Sequence, residues 1–477
     1  MKSFLLLSLL GVATIAIADD PTQPRRVSLA ITPAAEPNPA LRYQLLPAIH
    51  ERKPGNAAQY YYRALLNIKG RHFADHWKEH EKNYERWNKS LAELPADEVR
   101  KWLQPFGRVF ADVRTATYRE RCDWEWRLEQ IEGVELFAFV LEEIQSARDL
   151  ARVLVLKARL EIKEGKFDEA LQTLRDGYQL AVNVTTEPLL INGLVGVAIA
   201  SMLNEAIIDW IAQPNSPNLY WAMTALPKPL IDMRPALALE AAVCERALPF
   251  LRDAETAQRS SEEWLRLIGG ELEKLHQLAG TQVPSAWEKA AFFAAIPAAY
   301  TQAKRELVAG GFDEKKLDAM PVGQVLAIQS RRAANYTAQE VLKNALLDSP
   351  DAAERIAATE QRLRRDGWMA PPMMGKDPFG IAGVILPALG SVTSASHRLQ
   401  RNVAAIQALE ALRMQASETG KLPASLDEVK IVPVPLNPAT GKPFPYRVEG
   451  AAATFELPQI RFPQDGAVYT LTLEPRK

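Results

Sequence analysis

From residue 57 to about residue 366 the chain places apolar side chains every three and four positions, in a background of Ala, Leu, Glu, Lys, Arg and Gln. That period puts the apolar residues on one stripe of an α-helix, whereas a half-buried strand would alternate. Prolines mostly fall between such stretches, at Pro95, Pro188, Pro214, Pro217, Pro227, Pro229 and Pro235. Proline lacks a backbone N–H and disfavours helix in the residue before it, so these positions read as breaks between short helices. The fold class expected is mainly α: an irregular helical bundle or a short α-solenoid. Hydrophobic residues make up 47% of the chain, enough to bury many such stripes.

The two ends differ from this middle. Residues 19–56 carry Pro21, Pro24, Pro33, Pro37, Pro39, Pro47 and Pro54, which forbid a long helix and suggest an extended lead-in. The Pro- and Gly-rich stretch MAPPMMGKDPFG at 369–380 reads as a linker, assigned to 367–380. A long helix is expected from about 381 to 418, closed by Gly420 and Pro423. Beyond it, Tyr446 and Val448, then Thr454, Phe455 and Leu457, then Val468, Tyr469, Leu471 and Leu473 alternate as short antiparallel strands. Gly441, Gly450 and Gly466 mark the turns. Residues 381–477 thus form a small α+β tail: one long helix with a little sheet.

Residues 1–18, MKSFLLLSLLGVATIAIA, have the parts of a signal peptide. Lys2 is the positive start, Phe4 to Ile15 the apolar core, and Ala16 and Ala18 the small-x-small site, with cleavage expected between Ala18 and Asp19. The expected localisation is exported, periplasmic or secreted. The most apolar interior run is 188–210. Asn192, Asn204, Glu205 and Asp209 interrupt it, so it reads as a helix buried in a bundle, and no transmembrane segment is expected in the mature chain.

The clearest local unit is the helical hairpin at 151–181. Leu154, Ala158, Leu160 and Ile162 line its first helix, Gly165 ends it, and Asp168 and Glu169 open the second. Ala158, Ala170 and Gly177 are small enough to let two helices approach. The stretch EGKFDEALQTL resembles a tetratricopeptide hairpin, present as one unit of about 34 residues. In the tail, TGKLPASLDEV and VPLNPATGKPFPYR resemble the soluble part of type II secretion pseudopilins, which implies a long helix leading into a short sheet. The mature chain also resembles a family of uncharacterised exported bacterial helical proteins. That resemblance rests on CDWEWRL at 122–128, the hairpin, SPNLYWAMTALPKPLIDMRPAL at 216–237, AMPVGQVLA at 319–327 and the tail. It implies export and this organisation, and assigns no residue a chemical role.

Charge is nearly balanced, 57 Lys plus Arg against 58 Asp plus Glu, with no basic stripe. Nucleic-acid and anionic-membrane binding therefore have no electrostatic basis. Cys122 and Cys244 either pair or, the preferred reading, are separately buried thiols, each on a helix. His72, His76 and His80 fall four apart, so a shared helix face could chelate a metal. The bland reading is a solvated face among Lys78, Glu79, Glu81 and Lys82. Asp123 and Glu125 flank Trp124 beside Trp126, like paired glycosidase acids, but two-residue spacing on a helix separates them, leaving an aromatic anchor with polar edges exposed. Tyr220 and Trp221 open a short helix, capped by Ser216 or Asn218, as core or as an aromatic patch for a partner. GxSxG, GxGxxG and Walker patterns are missing from the sequence.

No catalytic, cofactor-binding or metal-binding residue and no cofactor is assigned on these grounds. The function expected is a non-catalytic exported helical scaffold that binds a protein or peptide partner. The alternatives are a hydrolase with an unrecognised acidic or metal site, and a component of an export or cell-envelope assembly.

Overall fold

The computed structural model describes residues 23–70, 73–127, 130, 135–278, 286–347, 349, 351–460 and 465–474. In chain order these form β1 (Arg25–Ile31), β2 (Lys53–Asn56), α1 (Ala58–Ile68), α2 (Ala74–Trp87), α3 (Ala96–Leu103), α4 (Gly107–Thr117) and β3 (Arg119–Arg121). Then come α5 (Glu135–Lys163), α6 (Phe167–Val184), α7 (Leu190–Ile211), α8 (Tyr220–Thr224), α9 (Arg234–Ala247), α10 (Pro249–Arg252), α11 (Ser261–Leu278), α12 (Ala286–Ala309) and α13 (Glu314–Asp318). The chain closes with α14 (Val322–Ala345), α15 (Ala352–Arg365), α16 (Ile381–Thr419), β4 (Tyr446–Glu449), β5 (Ala452–Leu457) and β6 (Ala467–Leu473). The fold is mainly α with a small sheet near its C-terminal end, as the periodicity requires.

The described residues divide into two compact units. The terminal unit collects residues up to 125, 144–232 and those from 394 onward; the inserted unit takes 126–143 and 233–393. These limits differ from a helical domain ending at 366 and a linker at 367–380. Within the inserted unit that stretch is a packed turn: Met373 and Phe379 join the core, and Phe250 meets the Phe379 ring edge-on at 5.7 Å. Pro and Gly mark turns, and a turn can be internal to a unit as readily as between units.

In the terminal unit the sheet runs β1-β6-β5-β4. The antiparallel pairs β4–β5 and β5–β6 match the expected tail. The lead-in supplies an unexpected fourth strand: β1 lies parallel to β6, with Arg25 opposite Ala467 and Ile31 opposite Leu473. A parallel partner so far along the chain leaves no hairpin turn in the sequence to betray it. Leu29 and Ile31 point inward.

The end of this strand is tied to α16 by a wholly buried ion pair. Arg413 Nη1 reaches Glu410 at 2.9 Å, and neither side chain has any exposed surface. The same guanidinium donates to Thr32 O at 3.0 Å, Ser216 O at 2.9 Å and Ser216 Oγ at 2.7 Å. Planar, five-donor geometry lets one arginine satisfy three chain segments at once.

The hairpin forms as read. Gly165 takes φ +70°. Lys166 N donates to Glu161 O at 2.9 Å and Gly165 N to Ile162 O at 3.0 Å, the pair of bonds that ends a helix on a left-handed residue. Thr173 joins its two helices, donating to Glu161 Oε2 and accepting from Lys157 Nζ, both at 2.7 Å. Gly177 serves a third helix instead: a Cβ there would stand 2.6 Å from Leu203 Cδ2 of α7. Helix α7 is long and apolar enough to cross a membrane, and 67% of its most apolar window is buried. The polar residues that interrupt it are engaged. Asn192 donates to Val184 O at 3.0 Å, Asn204 accepts from the Tyr178 hydroxyl at 2.6 Å, Asp209 accepts from Arg159 at 2.6 Å and Glu205 pairs with Arg25 at 3.0 Å.

Candidate interaction surface

The residues singled out by sequence pattern do not converge. CDWEW lies outside helix and strand, and Glu125 takes a left-handed φ of 53°. Cys122, Trp124 and Trp126 are buried while Asp123 and Glu125 face solvent. Trp124 is the anchor: its ring stacks on Tyr61 at 5.6 Å and Nε1 donates to Asn183 O at 2.8 Å. Asp123 accepts from Glu125 N at 3.0 Å, a turn contact that leaves no acid facing another. Cys122 is a free buried thiol on this irregular segment, not on a helix, and burial pushes its pKa up to about 12. Cys244 lies on α9, and its side chain is outside the described residues.

His72 also lies outside them. His80 is buried rather than solvated, with ring centroids of Trp102 at 5.4 Å, Tyr84 at 5.6 Å, Trp77 at 5.8 Å and Trp87 at 6.0 Å. Burial, and then the Arg152 charge, lower its pKa to about 4, which makes it a neutral core imidazole. His76 packs edge-on against Phe73 at 5.5 Å. Among the described residues no group of three or more His, Cys, Asp or Glu is arranged to hold a metal ion.

Tyr220 is buried and donates its hydroxyl to Pro433 O at 2.6 Å. Trp221 is half-buried, its Nε1 held by Glu36 at 2.6 Å. Leu219 is the N-cap of this helix; Asn218, one residue earlier, accepts from Tyr220 N at 2.9 Å, while Ser216 is turned to Arg413. Both aromatics are thus anchored within the terminal unit.

An open apolar face lies instead on α12 of the inserted unit. No charged residue occurs from Ala290 to Ala303. One side of the helix enters the core through Ala299, Ala303 and Leu307, with Phe292, Ala295, Ile296 and Tyr300 packed against the same cluster, which includes Trp264, Val325 and Ile328. The other side carries Trp287, 80% exposed, and Phe293, 57% exposed. Ala290, Ala291, Ala294 and Ala298 are exposed beside them. Pro297 sits inside the helix, and Thr301 Oγ1 donates back to Pro297 O at 3.0 Å. Lys304 fixes the far end through Glu314 at 2.9 Å and Asp318 at 2.7 Å, both of which raise its pKa. A helix that is apolar all round is normally enclosed all round, so the uncovered side is the anomaly here. The run AAFFAAIPAAY offers no polar face, which marks it as apolar without saying which side is covered.

No family model matches this sequence, and no curated protein or solved structure matches it either.

Proposed function

We propose that the chain is an exported, non-catalytic helical protein that binds a protein partner through the outer face of α12. The observation that carries this reading is the exposure of Trp287 and Phe293 on a charge-free stretch of helix. Covering them would remove roughly 300 Å² from water, at side-chain areas of 150–250 Å² each. At about 25 cal/mol per Å² that is on the order of 7 kcal/mol, before the cost of association.

The area also bears on the occupant. From Trp287 to Ala298 the face is only about 17 Å long at 1.5 Å per residue. A flat contact with a second copy would fall well short of the about 800 Å² per partner that stable interfaces bury. A partner presenting an apolar groove wraps such a helix and recruits more surface, as groove-binding helices do. Export rests on residues 1–18 and is read by the mass of the exported protein, which should begin at Asp19.

The test is quantitative recovery of the partner by wild type and by Trp287→Ala/Phe293→Ala. Aromatic anchors of this kind contribute about 2–4 kcal/mol each, so the double variant should lose on the order of 1,000-fold in affinity. Recovery unchanged by the double variant would overturn the surface. Self-association lost in the variant, or binding to protein-free vesicles, would assign the face to a second copy or to lipid.

A further inference from the structure

Helix α7, the middle of α16 and strands β5 and β6 meet around a small cavity in the terminal unit. Its polar lining is Asn204, Glu205, Asn402 and Tyr469; the rest of it is aliphatic, Ile406 and Leu457 included. We propose that this cavity is a binding site for one water molecule, held by Asn204, Glu205 and Tyr469.

Asn204 is buried on a turn of α7 whose neighbours, Ala200, Leu203 and Ile207, are aliphatic and buried. One atom of its amide is engaged by the Tyr178 hydroxyl at 2.6 Å. The other, Nδ2, has no partner among the described residues. Exchanging the two amide atoms leaves the count unchanged, because the tyrosine hydroxyl can donate or accept. A buried amide atom left unbonded costs about 1–3 kcal/mol, and buried polar groups are nearly always bonded.

The cavity supplies the missing partner. Its volume is about 10 Å³, close to the space that one water centre needs. A buried water also needs two to four polar contacts. The Glu205 carboxylate, held by Arg25 at 3.0 Å and 3.2 Å, retains lone pairs to accept from water. Arg25 also donates to the Tyr469 hydroxyl at 3.4 Å, which leaves the hydroxyl proton free to be donated. Burial raises the Tyr469 pKa and keeps that proton in place. Asn402 is already engaged by Arg401 at 3.0 Å and is the weaker contact. The water would then link α7 to β6 across a seam that is otherwise aliphatic.

Two measurements on the full chain decide the matter. A high-resolution map, or water-to-amide cross-relaxation by NMR, should show one long-lived water within about 3.2 Å of the Asn204 amide, the reach of an ordinary hydrogen bond. A dry cavity, or an Asn204 amide bonded directly to Glu205 or Asn402, overturns the site. In Asn204→Leu/Tyr178→Phe, which removes the amide and its partner together, the water should be lost. Its persistence there would overturn the role of Asn204.

Discussion

Helices α7 and α12 have much the same sequence character and opposite surroundings. Each is a helix of more than twenty residues built around a long apolar stretch, which in α12 is flanked by Glu288 and Lys289 at one end and by Lys304, Arg305 and Glu306 at the other. Helix α7 is punctuated by Asn192, Asn204 and Asp209, and each of these finds a partner inside the terminal unit. The charge-free stretch of α12 has no such residues, and its outer side remains open. Hydrophobicity alone does not say which helix is buried. The polar residues that a buried helix must satisfy do say so, because they are tolerated only where the surroundings are built to receive them.

Trp210 and Trp287 give the sharpest contrast. Trp210 is fully buried, packs edge-on against Phe167 at 4.9 Å and donates to Pro217 O at 2.8 Å. Trp210→Ala should cost about 3–5 kcal/mol, read as a lowered denaturation midpoint of the terminal unit. A cost under about 1 kcal/mol would mean that α7 is not enclosed as described.

Breaking the Glu410–Arg413 pair should be nearly as severe. Glu410→Ala leaves the guanidinium buried without its counter-charge, a loss of about 3–5 kcal/mol. Burial raises the Glu410 pKa, an effect that Arg413 and a backbone hydrogen bond from Leu219 oppose.

Acid should act on the α2–α3 region. The folded His80 pKa is about 4 against an ordinary 6.5, so the unfolded chain binds the proton more tightly. The stabilisation is fully present above pH 6.5 and is lost as the pH falls from 6.5 towards 4. Between pH 7.5 and 4.5 wild type should lose about 2–3 kcal/mol more than His80→Leu in denaturant titrations. Equal losses would show that the imidazole is not buried neutral.

Gly196→Ala should cost about 1–3 kcal/mol. Its added Cβ would stand 2.5 Å from Thr185 Cγ2 and 2.9 Å from the Ala181 carbonyl oxygen, and backbone cannot step aside. A neutral effect would mean that α6 and α7 are further apart than described.

Local signals carried most of this fold, and long-range ones were silent. Gly165 and Gly420 ended their helices at positive φ where the sequence placed the stops, and the strands from Tyr446 onward followed their alternation. Strand β1 was hidden because its partner is β6, and pairing at that distance leaves no composition of its own. CDWEW was misjudged as helical. Its alternation of buried Cys122, Trp124 and Trp126 with exposed Asp123 and Glu125 is a strand-like period that was present in the letters. His80 was placed on a solvated face because Lys78, Glu79, Glu81 and Lys82 surround it in sequence, while the rings that enclose it include Trp102 from a different helix. The exposed side of α12 is hidden in the sequence because Ala, Phe and Ile look like core until the fold shows which side is covered.

The most direct test places a photo-crosslinking side chain at position 293 in the full chain, with position 49, a second exposed apolar site at Ile49, as the control. The account predicts a discrete protein adduct from position 293 that position 49 does not give and that Trp287→Ala abolishes. Position 293 yielding no adduct, or the same adducts as position 49, would contradict it.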